Sequence, residues 1–270
     1  KVLSSEGTAS TASYTAIHGQ DGDLIVACAD FSIVNHFTAE DVETLCSSSM
    51  GVLEGVVVLD GNFSPQVFAK IALTVAASKG EGEKGLPLLF FEPTSEHKCL
   101  LPLLADESRV GGLLHCVDVV KPNLGELVAI LDHVQGEGHS APLDSARASM
   151  QNRENVAVEV VAELSQTLLN LMCDSGTKGS KHVLVSLGDQ GVLWTHRNGK
   201  EKVVSTQHYD LGDLQVSPQV MNEQGLNTNG SGDAFCAGVI SRLARAEGVL
   251  DELALERGME AAHRQIMNRW

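Results

Sequence analysis

Short apolar runs, each ending in a polar or acidic residue and each followed by a segment with helical spacing, recur along the chain. The runs GVVVLD (Gly55 to Asp60), LLFFE (Leu88 to Glu92), VDVV (Val117 to Val120) and VLVSL (Val183 to Leu187) read as buried strands. Between them, Ser64-Pro65 opens an amphipathic helix to Lys79, and a second helix is expected from Glu154 to Met172. Two more helices are expected at the end, from Ala234 to Glu247 and from Leu250 onward. Near the start, Ser13 to Gly19 and Leu24 to Ala29 flank the turn Gln20-Asp21-Gly22-Asp23 and predict a β-hairpin. Thr38 is placed to cap a helix, with Asp41 at its third position. Gly188 to Gly191 turns the fourth run into a further short strand, Val192 to Trp194. The polar stretch from Gly136 to Ser149 is expected as a mobile surface insertion, and Glu201 to Gly225 as irregular chain. This alternation predicts an α/β fold: a doubly wound, Rossmann-like, mainly parallel sheet with helices on both faces and a small β hairpin in front. In such sheets ligands bind beyond the carboxyl ends of the strands, so the residues at those ends matter most.

Composition narrows the partners. The chain has 270 residues, enough for one large domain with a full core, and is 43% hydrophobic. No apolar run approaches the roughly 20 residues that span a bilayer, so a soluble protein is expected. A formal charge of −16 argues against nucleic acid, whose phosphate backbone requires a basic face. It leaves small phosphorylated ligands open, because helix N-termini and a divalent cation hold phosphate locally. The six cysteines form no Cys-x-x-Cys pair and no secretory signal opens the chain, which predicts reduced thiols in the cytoplasm. The ten histidines show no zinc-ligand spacing.

The segment Asn227, Thr228, Asn229, Gly230, Ser231, Gly232, Asp233 carries the strongest chemical signal, a glycine-rich turn running into an apolar helix. Backbone N–H groups of such a turn, with the helix dipole behind them, form a site for phosphate oxygens, and Gly230 and Gly232 let the ligand approach closely. Asp233, beside that site, is positioned to take a proton from an attacking hydroxyl. The alternative is that Asp233 only caps a helix after an ordinary turn. The lysines around Lys178 lack phosphate-loop spacing and read as a loop.

Gly230-Ser-Gly-Asp-Ala-Phe235 followed by Gly238 resembles the C-terminal signature of the ribokinase-like (PfkB) carbohydrate kinases. Pro122-Asn123-Leu-Gly-Glu126 resembles the family's Pro-Asn-x-x-Glu element, and Ser186, Gly188 and Gly191 resemble the strand and turn that flank its nucleotide. The resemblance implies ATP and Mg2+ as cofactors, with a monovalent cation as a further candidate. It implies Asp233 as base, Gly230, Ser231 and Gly232 as anion hole, and Asn123 and Glu126 orienting the metal. Ser186, Gly188, Gly191, Asn227 and Thr228 are the implied nucleotide contacts. Taken singly, Asn123 and Glu126 also fit a helix cap and an ordinary helix carboxylate, and the others fit plain hairpin residues.

Tyr14, Asp30, Asn62 and Glu92, with the sequence around them, resemble the acceptor side of pseudouridine kinases. That subgroup also carries Asn where most of the family begins its signature with Asp, matching Asn227. The implied reaction is transfer of the ATP γ-phosphate to the 5′-hydroxyl of a ribosyl substrate, pseudouridine first, with ribose or adenosine as alternative acceptors. The resemblance divides the chain into lid strands at 1–30, a possible homodimer contact, and a nucleotide-binding domain at 31–270. Family members carry roughly a further hundred residues before the lid, a domain-scale length, with a Gly-Gly turn and an Asp that grip the sugar. The sheet is therefore expected to lack its first strands, and a non-catalytic remnant of a kinase is the contrasting reading.

Overall fold

In a computed structural model, the structure describes residues 10–19, 24–48, 55–79, 87–136, 140–152, 154–173, 177, 179–199, 203–226, 228–246 and 248–267. The hairpin forms as expected from β1 (Ser13–His18) and β2 (Leu24–Asp30), paired antiparallel, while its turn lies outside the described residues. α1 (Ala39–Ser48) begins behind Thr38. The Thr38 hydroxyl accepts the Asp41 N–H at 3.3 Å and the Asp41 carboxylate accepts the Thr38 N–H at 2.9 Å, the reciprocal cap that the spacing predicted.

The main sheet contains β3 (Val56–Asp60), β4 (Leu88–Glu92), β5 (Val119–Val120), β6 (Lys181–Ser186), β7 (Val192–Arg197) and β8 (Val204–Tyr209), side by side in that order. The first four are parallel and β7 alone runs against its neighbours β6 and β8, so the sheet is mixed and mainly parallel. One face is covered by α2 (Pro65–Ser78), α3 (Leu101–Leu104), α4 (Leu124–Gln135), α5 (Ala141–Asn152) and α6 (Val158–Met172). The other is covered by α8 (Ser231–Arg245) and α9 (Glu252–Ile266), with α7 (Pro218–Gln224) preceding them in the chain.

Alternation along β4 shows how one strand serves both layers. Phe91 packs edge-on to Phe68 of α2, 5.4 Å between centroids, whereas Phe90 faces the opposite cluster with Phe235, Val239 and Leu255. Both rings are fully buried, each worth about 1.5–3 kcal/mol of transfer free energy.

At the opposite end of the strands from the ligand side, Lys181 is buried and donates to the carbonyls of His115 and Val117 at 2.8 and 2.7 Å and to Asp118 at 3.1 Å. Burial lowers the pKa of this ammonium, and Asp118 opposes the shift. His182 beside it is pushed down to about 3, chiefly by burial, and accepts the Trp194 indole N–H at 3.2 Å as a neutral ring.

Three expectations change. The polar stretch after Gly136 is not all loop: α5 runs from Ala141 to Asn152, capped by Ser140 and burying Leu143 and Ala146. Two apolar residues three apart suffice for a helix that lies on α4 and α6, although the composition reads as loop. The chain after Glu201 contains β8, a half-exposed strand held by its ladder to β7 rather than by an apolar run. The last helices begin at Ser231 and Glu252, and α6 at Val158. Among the described residues no helix is long and apolar enough to cross a membrane.

Candidate functional site

The carboxyl ends of β3, β4 and β5 and the first turn of α8 meet at one edge of the sheet. Gly230 occupies the N-cap of α8 with φ +74°, a left-handed conformation that glycine adopts without steric cost. The Gln265 side-chain amide donates to the Asn229 carbonyl at 3.0 Å and braces this turn from α9. Ser231 N–H turns back to the Thr228 carbonyl at 3.0 Å, and Ala234 N–H takes the Gly230 carbonyl at 2.9 Å. Three N–H groups, those of Gly230, Gly232 and Asp233, are left without a protein acceptor among the described residues. Of the three amides the resemblance implied, only that of Ser231 is engaged, and the amide of Asp233 is free as well because the helix starts at Ser231 and not at Ala234. Asp233 stands exposed on that first turn.

Beneath the turn lies a buried cation that sequence reasoning did not single out. A Cβ built on Gly232 would lie 3.3 Å from Lys121 Nζ. Lys121 follows β5, is 4% exposed, and pairs with Glu92 at the end of β4 across 3.4 Å. A lone lysine directly after a buried strand was the signal available.

Asn123 and Glu126 form a reciprocal cap on α4. Asn123 Oδ1 accepts the Glu126 N–H at 2.9 Å, and Glu126 Oε2 accepts the Asn123 N–H at 2.8 Å. The helix-cap reading of these two residues is therefore realised in the fold, and one oxygen of the buried Glu126 is already engaged. Burial raises the Glu126 pKa, the Asn123 N–H opposes this, and the nearby charge of Glu92 adds to the rise. Glu96 lies against the same turn, since a Cβ on Gly125 would meet its Oε1 at 2.5 Å. Ser186 joins this group through a parallel bridge to Asn123 and by donating its N–H to the Pro122 carbonyl at 3.0 Å.

The acceptor-side candidates fall into two sets. Asn62 donates to Asp60 at 2.7 Å and accepts from Lys98 at 2.5 Å, and Lys98 also stands 5.0 Å over the Phe31 ring that follows β2. The hairpin is thereby tied to the end of β3. Thr94 holds the loops after β3 and β4 together, its hydroxyl accepting Gly61 N–H at 2.9 Å and donating to Glu92 at 3.1 Å. It is the one non-glycine residue with positive φ among those described, +72°, and backbone strain of this kind concentrates at functional sites. Nothing in the sequence signals it. The other set lies on the hairpin: Tyr14 is 48% exposed on β1, and the Asp30 carboxylate is engaged by Ser32 N–H at 2.9 Å, which lowers its pKa.

Gly188 and Gly191 form the turn between β6 and β7 with φ +60° and +87°. Gly191 has no alternative, as a Cβ there would lie 2.1 Å from the Tyr209 carbonyl oxygen. Asn227 lies outside the described residues. Cys236, one turn behind Asp233, has its thiol pushed up to about 12, mainly by burial, so it stays protonated beside the site.

These residues present free N–H donors, a carboxylate on a helix turn, a buried ammonium and a bank of oxygen donors, a set suited to holding a phosphate beside a proton acceptor. The pfkB family carbohydrate kinase profile matches residues 95–266, which contain α4, the β6–β7 turn and the whole α8 turn. The chain belongs to the pfkB family of carbohydrate kinases. Over 271 residues it is 24% identical to a pseudouridine-metabolizing bifunctional protein of Schizosaccharomyces pombe, covering 93% of this chain and 33% of that protein. Solved structures of similar fold include Anopheles gambiae adenosine kinase in complex with P1,P4-di(adenosine-5) tetraphosphate, at TM-score 0.66 and 18% identity, covering 97% of this chain and 64% of that one. A carbohydrate kinase from Agrobacterium tumefaciens matches at TM-score 0.56 and 19% identity, covering 93% and 61%. The chain thus spans a third of the curated relative and less than two thirds of these structures.

Within this pfkB domain, Lys121→Met removes the cation nearest the Glu92 and Glu126 carboxylates and should cost about 3 kcal/mol at pH 7. Burial holds the Glu126 pKa in the folded state above its unfolded value, and losing Lys121 lifts it further. The folded state then takes up protons as pH falls, so the deficit should shrink between pH 7 and pH 5. Denaturant unfolding at the two pH values measures this, and an equal deficit at both would contradict it.

Proposed function

We propose that this chain is the phosphate-handling part of an ATP-dependent kinase that phosphorylates a primary hydroxyl of a ribosyl substrate, with pseudouridine as the first candidate. The observation that carries the reading is the first turn of α8, where the unpartnered N–H groups of Gly232 and Asp233 and the exposed Asp233 carboxylate stand over the Lys121 ammonium. Family membership supports phosphoryl transfer, and the pseudouridine-metabolizing relative from S. pombe supports pseudouridine. The A. gambiae adenosine kinase, solved in complex with a diadenosine tetraphosphate, supports ATP as donor and keeps adenosine as a second acceptor to test.

In the proposed reaction the acceptor hydroxyl oxygen attacks the γ-phosphorus in line while the bond to the β-phosphate bridging oxygen breaks, and ADP leaves with that electron pair. Asp233 receives the hydroxyl proton. The N–H groups of Gly232 and Asp233 hold the transferring oxygens, and Lys121 balances charge from below. Gly188 and Gly191 would pass beside the nucleotide, Thr228 and Asn227 would border it, and Ser186 would fix the strand end. Gly230 sets the turn and Ser231 locks it through Thr228.

The donors at the strand ends are oxygens, which suits magnesium bound by one or two carboxylates, water and substrate phosphates. No group of three metal-ligating side chains occurs among the described residues, in keeping with a metal that arrives with the nucleotide. Asn123 and Glu126 would orient it through water, and it would supply neutralisation of the phosphate charge. Asn62 and Glu92, after β3 and at the end of β4, would contact the acceptor, with Tyr14 and Asp30 contributed by the hairpin.

The free thiols of the described cysteines support a cytoplasmic setting. Ile17, Ile25 and Val26, all more than half exposed, support a homodimer formed through the hairpin. Sedimentation of the full-length protein should show a dimer, and a monomer at all concentrations would remove the proposal. Asp233→Asn in the full-length protein should lower kcat by about three orders of magnitude or more while leaving ATP affinity within a few-fold. Steady-state kinetics with pseudouridine, adenosine and ribose measures both the base and the acceptor. Near-normal turnover of the variant excludes Asp233 as base, and no turnover of any ribosyl acceptor by the wild type would favour a non-catalytic domain.

A further inference from the structure

Away from the phosphate turn, α8 and α9 enclose an open cleft of 360 Å³ between their outer faces. The two helices approach backbone to backbone, since a Cβ on Gly238 would lie 2.4 Å from the Arg257 carbonyl oxygen. The cleft is lined by Arg242, Arg245, Arg257 and Arg264, with Glu260 among them. Four of the nine arginines in a chain of charge −16 thus face one small volume. Shortage of carboxylates does not explain this, because the chain has 35 Asp and Glu against 19 Lys and Arg.

The pairing is selective. Arg242 is held by Asp251 at 2.5 Å, and Arg257 by Glu260 at 3.1 Å. Arg245 and Arg264 carry no ion pair among the described residues and are exposed. The other carboxylates of α9 point elsewhere, with Glu252 and Glu256 acting on Tyr209 of β8 and helping burial raise its pKa to about 12. Helix α9 therefore keeps one carboxylate, Glu260, among its guanidiniums, while Glu252 and Glu256 act on Tyr209 instead. Like charges held together in this way repel one another, and an anion between them relieves the repulsion. Planar guanidinium forks match phosphate oxygens in pairs. Leu253, 40% exposed, adds an apolar wall, and the volume lies in the range of small-molecule sites.

We propose that this cleft is a second binding site, separate from the phosphate turn, for the phosphate or pyrophosphate group of a small phosphorylated metabolite. Arg245 and Arg264 are the ligating forks, Arg242 and Arg257 fix the walls, and Leu253 contacts the organic part. From Asp233 to Arg245 the axis of α8 runs roughly 18 Å, which sets the Arg245 end of the cleft apart from the phosphate turn, while Arg264 closes the end beside Gln265.

Calorimetric titration of the full-length protein, saturated with a non-hydrolysable ATP analogue to fill the phosphate turn, tests this with inorganic pyrophosphate and ribose 5-phosphate as probes. Both should bind the wild type, and Arg245→Gln/Arg264→Gln should weaken them by roughly tenfold or more without changing affinity for the analogue. If that variant fails to fold, Arg245→Lys/Arg264→Lys keeps the charge, loses the forks and should show the same weakening. Tighter binding of the sugar phosphate than of pyrophosphate supports a metabolite ester, and the reverse supports free pyrophosphate at the same forks. No binding to the wild type at about 10 mM, equal binding by wild type and variant, or binding of polyglutamate in place of both probes would overturn the proposal.

Discussion

A lysine ammonium buried at the end of a parallel strand needs compensation, because an unpaired charge in the interior costs several kcal/mol. Lys121 receives it from Glu92 on the neighbouring strand and from the nearby Glu126 carboxylate at the start of α4. This arrangement sets the distances between three segments that are remote in sequence. It also leaves the positive group directly under Gly232, where the chain has no side chain to shield it. The anion-attracting character of the α8 turn therefore has two sources: its own free amides and dipole, and a charge supplied by β5 from below.

The turn keeps its shape because α8 is held from behind. Gly238 and Gly258 let α8 and α9 approach until backbone and ring atoms touch, and Gln265 at the far end of α9 binds the Asn229 carbonyl. Phe235, Val239 and Leu255 then seal the pair against β4, β6 and β7. The same close approach leaves the outer faces of the helices to form the arginine-lined cleft. Packing on the inner side and charge on the outer side are consequences of one helix pairing.

Much of the architecture was legible because it depends on local pattern. The four apolar runs became β3 to β6, and the Ser64, Thr38 and Asn123 caps opened the helices behind them. Gly230, Gly191 and the Asn123–Glu126 pair stand where their spacing placed them. What escaped depends on tertiary contact. Strand β8 exists through its ladder to β7, and α5 through two buried residues. The burial of Lys121 comes from the assembled sheet, and Thr94 with its positive φ is bonded to Gly61 and Glu92. Ser231 was expected to offer its amide, but helix start and glycine turn overlap, and the amide is spent on Thr228.

The proposed reaction requires phosphate to be held by the first turn of α8 with Asp233 facing the acceptor. A crystal structure of the full-length protein with ADP, aluminium fluoride and pseudouridine tests it most directly. The planar fluoride should sit on the N–H groups of Gly232 and Asp233, with the 5′-hydroxyl of the acceptor within hydrogen-bond reach of the Asp233 carboxylate. A phosphoryl mimic bound elsewhere, with the α8 turn empty or a different carboxylate at the acceptor hydroxyl, would contradict it.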